Sequence, residues 1–87
     1  MEIIRLATVK EKTGLARSTL YLRIQQGLLT KPVSLGGKAV GWPLSEIFQI
    51  NAARIAGKSN EEILALVQKL MRKRLTEDKE VRNVVAG

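Results

Sequence analysis

Thr13-Gly14-Leu15-Ala16-Arg17-Ser18-Thr19-Leu20-Tyr21 is the stretch that decides the fold of this chain. Gly14 is a helix stop, because glycine takes the left-handed C′ conformation cheaply. Upstream, Thr8-Val9-Lys10-Glu11 has the Thr-x-x-Glu form of a capping box and predicts a first helix from about Val9 to Thr13. Three residues past Gly14 a second helix begins, expected over Arg17 to Gln26 and closed by Gly27. Leu20 and Ile24, at i and i+4, set its inward face, and Leu28 continues that stripe. Leu15 precedes the cap position and can pack on Leu20 as a hydrophobic staple. Ala16 is a poor cap, costing the helix on the order of 1 kcal/mol against Ser, Thr, Asp or Asn. The remaining positions, Arg17, Ser18, Thr19, Tyr21, Arg23, Gln25 and Gln26, are rich in groups that bond phosphates and base edges. Two short helices joined by a tight glycine turn have the form of a DNA-reading helix-turn-helix.

Downstream, Lys31-Pro32-Val33-Ser34-Leu35 reads as extended, Gly36-Gly37 as a two-residue hairpin turn, and Lys38-Ala39-Val40-Gly41-Trp42 as the returning strand. A ribbon directly after a helix-turn-helix is placed as a wing. Two strands alone are barely stable in water, so the ribbon must pack on the helices, with Trp42 and Val33 the expected contacts. Pro43 suits the first position of a third helix, which carries Leu44, Ile47, Phe48, Ile50 or Asn51, and Ile55, and stops at Gly57. Ser59-Asn60-Glu61-Glu62 is a second capping box. It opens a fourth helix with Ile63, Leu66, Val67, Leu70 and Met71 on one face and Lys69, Arg72, Lys73 and Arg74 trailing, where basic residues complement the helix dipole. The expected architecture is mainly α with a small β-hairpin wing, a winged helix-turn-helix. Residues 1–57 form the reading domain, 58–75 an added amphipathic helix on the same domain or on a partner, and 76–87 a frayed polar tail.

The 87 residues suffice for one domain with a small core, and 45% hydrophobic residues is ordinary for a chain that folds. There is no cysteine and no histidine, which excludes disulfides, thiolate and imidazole zinc ligands, and Cys or His catalysis. Carboxylates are few and scattered, without a paired-acid, triad or phosphate-loop pattern, so neither an enzyme nor a cofactor is expected. No apolar run is long enough to span a membrane and Met1-Glu2-Ile3-Ile4-Arg5 lacks a signal-peptide layout, so a cytoplasmic setting is expected. Net charge is +7, and its placement is informative: Arg5 to Trp42 holds seven basic residues against the single acid Glu11, whereas Pro43 to Gly87 holds eight against six. The excess sits on the reading module, where it supplies salt-sensitive attraction to phosphate.

Arg5-Leu6, Val9, the run TGLARSTLY, Gly27, Pro32-Val33, Leu35-Gly36, and Ala39-Val40-Gly41-Trp42 followed by Ser45-Glu46-Ile47 resemble the AlpA family. Its members are small prophage-associated DNA-binding regulators, related to excisionases and more distantly to MerR-like winged helix-turn-helix proteins. The resemblance covers roughly Arg5 to Ile55 and leaves out the fourth helix. Within it this chain has Ala16 where the family usually has Ser, Leu29-Thr30 where it often has Phe-Pro, Lys38 where Arg is common, and Gln49 or Ile50 where Trp is usual. Lysine at 38 keeps the charge and loses the bidentate fork.

The resemblance implies a bacterial, nucleoid-associated DNA binder in which Arg17 and Ser18, in the first turn of the second helix, approach the major groove. A solvated polar turn is the plain alternative. Thr19 belongs to the same polar set. Tyr21 can pack its ring on the core edge and still reach a phosphate with its hydroxyl. Leu22 projects opposite Leu20 and Ile24, where it can touch a thymine methyl or a neighbouring subunit. Arg23 and Gln25 are weighed against a solvated helix face. Lys31 at the wing base and Lys38 in the wing are phosphate candidates. Trp42 reads as core rather than a stacking platform, and three aromatics in all argue against single-strand binding. The function expected is transcriptional control of prophage or mobile-element genes through double-stranded DNA. An excisionase that bends attachment-site DNA, and a protein-interaction module acting through the fourth helix, are the alternatives. Expected partners are DNA, further copies of the chain assembled on DNA, and a recombinase or other phage protein.

Overall fold

The computed structural model describes the backbone of residues 2–86 and the side chains of residues 2–76. Strand β1 is Ile3–Ile4, followed by helices α1 (Leu6–Thr13) and α2 (Arg17–Gln25), strands β2 (Val33–Ser34) and β3 (Val40–Pro43), and helices α3 (Leu44–Ile55) and α4 (Asn60–Ala86). Gly14 closes α1 at φ 71° and its N–H donates to the Lys10 carbonyl at 2.8 Å. Ala16 precedes α2 in extended conformation with no side-chain cap bond. The helix-turn-helix therefore stands where the sequence puts it, with one correction. Helix α1 begins at Leu6, three residues before the expected start, so Thr8 lies inside it and caps nothing. Ile3 and Ile4 are the reason: they pair antiparallel with Pro43 and Trp42, and the chain turns into α1 directly after that short strand.

The ribbon is thus the outer part of a three-stranded antiparallel sheet, in the order β1-β3-β2. Val33 faces Gly41 and Ser34 faces Val40. The Leu35 N–H donates to the Ala39 carbonyl at 2.8 Å, so the connection comprises Gly36, Gly37 and Lys38 rather than two glycines. Lys38 consequently belongs to the loop and not to the returning strand. Gly41 is needed for a different reason. A Cβ there would stand 2.6 Å from Ile3 Cγ2 and 3.0 Å from the Ile4 carbonyl oxygen. Only a bare Cα lets β1 lie this close to β3. Pro43 ends β3 and precedes the first residue of α3, one position earlier than expected, and the following Leu44 N–H bonds the Glu2 carbonyl.

The core is built from Ile4, Val9, Leu20, Leu29, Trp42, Ile47, Ile50, Ile63, Val67 and Leu70. Trp42 is fully buried and its Nε1 donates to the Thr30 carbonyl at 2.9 Å, which ties the sheet to the segment after α2. Leu29 and Thr30 are also buried. On α3, Ile47 and Ile50 face in, while Phe48 and Ile55 of the expected apolar set face solvent.

Helix α4 lays Ile63, Val67 and Leu70 into the same core, with Leu66 and Met71 half-buried beside them. This apolar face is occupied by its own chain. Ser59 and Glu62 close the second capping box, the Glu62 N–H donating to Ser59 Oγ at 3.2 Å and the Ser59 N–H to Glu62 Oε1 at 3.4 Å. The Ser59 backbone bond, its hydroxyl and Lys58 hold the Glu62 carboxyl below its usual range. The helix continues to Ala86 in its backbone, past the expected end at residue 75, so the basic residues 69–74 lie in its middle and not in its last turn. The side chains of 77–87 fall outside the described residues.

Arg74 instead makes a clamp. Its Nε and Nη2 donate to the two carboxylate oxygens of Glu46 at 2.8 and 2.6 Å, and Nη2 also reaches the Lys31 carbonyl at 2.9 Å. Glu46 is buried on the inner face of α3, so this bidentate pair joins α4, α3 and the wing base.

Candidate nucleic-acid interface

Helix α2 buries one residue fully, Leu20. At about 100° per residue, Arg17, Ser18, Tyr21, Leu22 and Gln25 share a single outward arc. Their exposure agrees: Arg17, Ser18, Leu22 and Gln25 are exposed and Tyr21 is half-buried. Leu22 leaves 51% of its surface open, directly opposite the Leu20 side. The Arg17 guanidinium stands over the Tyr21 ring, 5.5 Å from its centroid. That contact lays Arg17 along the helix surface and reduces the side-chain freedom it would lose on meeting a ligand.

The other expected residues are dispersed. Thr19 is half-buried on one flank of the arc. Arg23 is half-buried further round on the same flank, where it joins Lys12, Asn51 and Arg54 around a pocket between α1, α2 and α3. Lys31 is exposed at the wing base and its carbonyl is engaged by Arg74. Lys38 is exposed at the tip of the β2–β3 loop. The wing is carried by β3, which contacts β1, α1 and α3, so its position relative to α2 is set through the core. Five of the nine expected residues therefore form one face, two flank it, and the two lysines stand on separate loops.

Two features had no place in the sequence reading. The buried acid Glu46 lies one turn before Ile50 on α3, and that spacing alone marks it as an inward carboxylate in need of a cation. Arg54 carried no such signal. Its Nη1 donates to Asn60 Oδ1 at 3.0 Å, while its Nη2 is buried without a partner. Burial, and then the nearby Arg23, lower the Arg54 pKa from its ordinary value.

Among the described residues no group of His, Cys, Asp or Glu is arranged to hold a metal ion. No helix there is long and apolar enough to cross a membrane.

Comparison with known proteins bears on the same segment. Residues 2–55 match the family model described as prophage CP4-57 regulatory protein (AlpA). The chain is also 46% identical over 55 residues to a protein of Enterobacteria phage P4 described as uncharacterized protein ORF88. That alignment covers 63% of this chain and 62% of the phage protein, so the chain spans less than two thirds of its relative. The family match begins at β1 and ends with the last residue of α3, taking in the helix-turn-helix, the sheet and the whole outward arc of α2. By that match the chain belongs to the AlpA family of prophage regulatory proteins.

Proposed function

We propose that this chain is a sequence-specific double-stranded DNA-binding regulator of prophage or mobile-element genes, with α2 in the major groove and the β2–β3 loop on the backbone. The observation that carries this reading is the outward arc of α2. A helix that turns only Leu20 and Ile24 to the core and presents Arg17, Ser18, Tyr21, Leu22 and Gln25 together is free to meet another surface. Arg17 and Gln25 supply base-edge donors, Ser18 a phosphate or base contact, and Leu22 an apolar contact for a thymine methyl. The arc sits on the half of the chain that carries the charge excess. Lys38 and Lys31, exposed on separate loops, add phosphate contacts. The protein acts by binding and not by catalysis, in the bacterial cytoplasm, associated with the nucleoid when bound.

The fourth helix does not favour the interaction-module reading, because Ile63, Val67 and Leu70 of its apolar face lie in the core. A module this small reads few base pairs, so several copies on adjacent half-sites are expected to act together. The test is titration with duplex DNA at two salt concentrations, followed by genome-wide footprinting in the host. A salt-steep isotherm and footprints at promoters support the proposal. Footprints confined to attachment sites would assign excisionase activity instead, and no binding at low salt would remove the DNA reading.

A further inference from the structure

The pocket between α1, α2 and α3 encloses about 320 Å³. That is the lower end of the range for small-molecule sites, about 300–1,000 Å³. Its floor is apolar: half-buried Leu15 and Leu28 face it, with the core residues Leu20, Leu29 and Ile50 beneath them. Its charged lining is cationic: Lys12, Arg23 and Arg54 line it with the neutral Asn51 and Thr13, whose hydroxyl is bonded to the Val9 carbonyl at 2.7 Å. Asn51 donates to the Lys12 carbonyl at 3.0 Å and is thereby occupied. Arg54 gives Nη1 to Asn60 Oδ1 at 3.0 Å and keeps Nη2 free. Among the described residues the ion pairs are Lys58 with Glu62 and Arg74 with Glu46, so neither Arg23 nor Arg54 has a carboxylate there. Arg54 Nη2 is buried and bonds nothing. Two like charges at the edge of an apolar pocket, one with an orphaned donor, repel each other and lose hydration without return. An anion placed between them reverses both effects.

We propose that this pocket binds a small amphipathic anion, a carboxylate on an apolar body of medium-chain length, with its head on Arg54 and Arg23 and its body against Leu15 and Leu28. The head needs two oxygens in one plane, which a carboxylate offers to a guanidinium fork. The body needs no polar group, since the floor presents none. Leu20 and Arg23 come from α2, so an occupied pocket bears on how that helix is seated. This last consequence rests on the DNA reading above, whereas the binding itself does not.

The experiment titrates the full-length protein with octanoate, octan-1-ol and acetate at constant ionic strength, followed by backbone amide chemical shifts. The expected result is saturable binding of octanoate, at least tenfold tighter than either control, with the largest shifts at Leu15, Leu28, Asn51 and Arg54. Arg54→Gln removes the tenfold preference over octanol, and Arg54→Lys restores part of it; a thermal melt of each variant confirms that it is folded. Equal response to acetate and octanoate, or an octanoate affinity unchanged in folded Arg54→Gln, overturns the proposal. So does tighter binding of a peptide spanning residues 77–86, whose Glu77, Asp78 and Glu80 precede Val81, Val84 and Val85. That outcome would assign the pocket to a second copy of the chain.

Discussion

Arg74→Ala tests whether α4 is an integral part of this domain. The substitution removes both donors from Glu46, held at 2.6 and 2.8 Å. The Glu46 side chain is 6% exposed and that of Arg74 20%. Breaking a buried pair by removing one partner costs about 3–5 kcal/mol, because the remaining charge stays buried and uncompensated. Water can reach the Arg74 side of this pair, so the lower end, about 3 kcal/mol, is expected. The Lys31 carbonyl also loses a donor, but that residue is exposed and water replaces it. A chain of 87 residues has a total stability of about 4–13 kcal/mol, so the loss is a large fraction. In a melt it corresponds to a fall of about 12–24 °C. Urea unfolding followed by circular dichroism measures it. The double variant Glu46→Leu/Arg74→Met separates charge from packing. With the carboxylate gone its stability should return to within about 1 kcal/mol of the parent. A loss under about 1 kcal/mol in Arg74→Ala, or a double variant no better than the single, would refute the account of a buried charge held by one partner.

Thr30 is fully buried with its Oγ1 unpartnered, so Thr30→Val should stabilise by about 1 kcal/mol, read as a rise in Tm. Gly41→Ala forces a methyl against Ile3 and the Ile4 carbonyl; it should destabilise by about 1–3 kcal/mol and expose the β1 amides to hydrogen exchange. Lys38→Ala should lower DNA affinity and shrink the salt slope by about one counterion, as measured by titration across salt concentrations. Arg17→Ala should cost about 1–3 kcal/mol on the preferred site and relax preference at one position, whereas a uniform loss across sequences would assign Arg17 to phosphate.

The helix-turn-helix was legible because its signals are local. Gly14 and Gly27 both take positive φ, and Leu20 occupies the inward position that its spacing assigns. The second capping box was legible for the same reason, Ser59 and Glu62 being three residues apart. What escaped depends on pairing between distant segments. Ile3 and Ile4 are too short a run to announce a strand, and they become one only because β3 offers an edge. The early start of α1 follows from that pairing, and no capping signal could reveal it. The loop of three followed from register: Leu35 faces Ala39, which puts Lys38 between them. Phe48 and Ile55 were drawn into the α3 stripe by hydrophobicity alone, although the face containing Glu46 and Ile50 is the one that turns inward.

The candidate site divides along the same line. The outward arc of α2 could be read from one helix, since exposure there is the complement of a short inward stripe. Arg23 could not be placed that way, because its surroundings are supplied by Lys12 on α1 and Arg54 on α3. Arg74 shows the converse. In the sequence it is one of a basic run and reads as a solvated charge. In the fold it is committed to Glu46, 28 positions away. The pairs Arg74–Glu46 and Lys58–Glu62 are each neutral, so they leave the formal +7 unchanged but fix which cations remain free among the described residues. Arg74 is spent on structure, Arg23 and Arg54 face a pocket, and Lys58 is paired with Glu62 at 3.6 Å. Of the nine residues expected to meet DNA, this leaves Arg17, Lys31 and Lys38 as exposed cations around the α2 arc and the wing. Exposed Arg5 and Lys10 on the same half of the chain add to the non-specific attraction but carry no base readout. Under the DNA reading, most of the discrimination then falls on the five-residue face of α2 and on repeated copies of it.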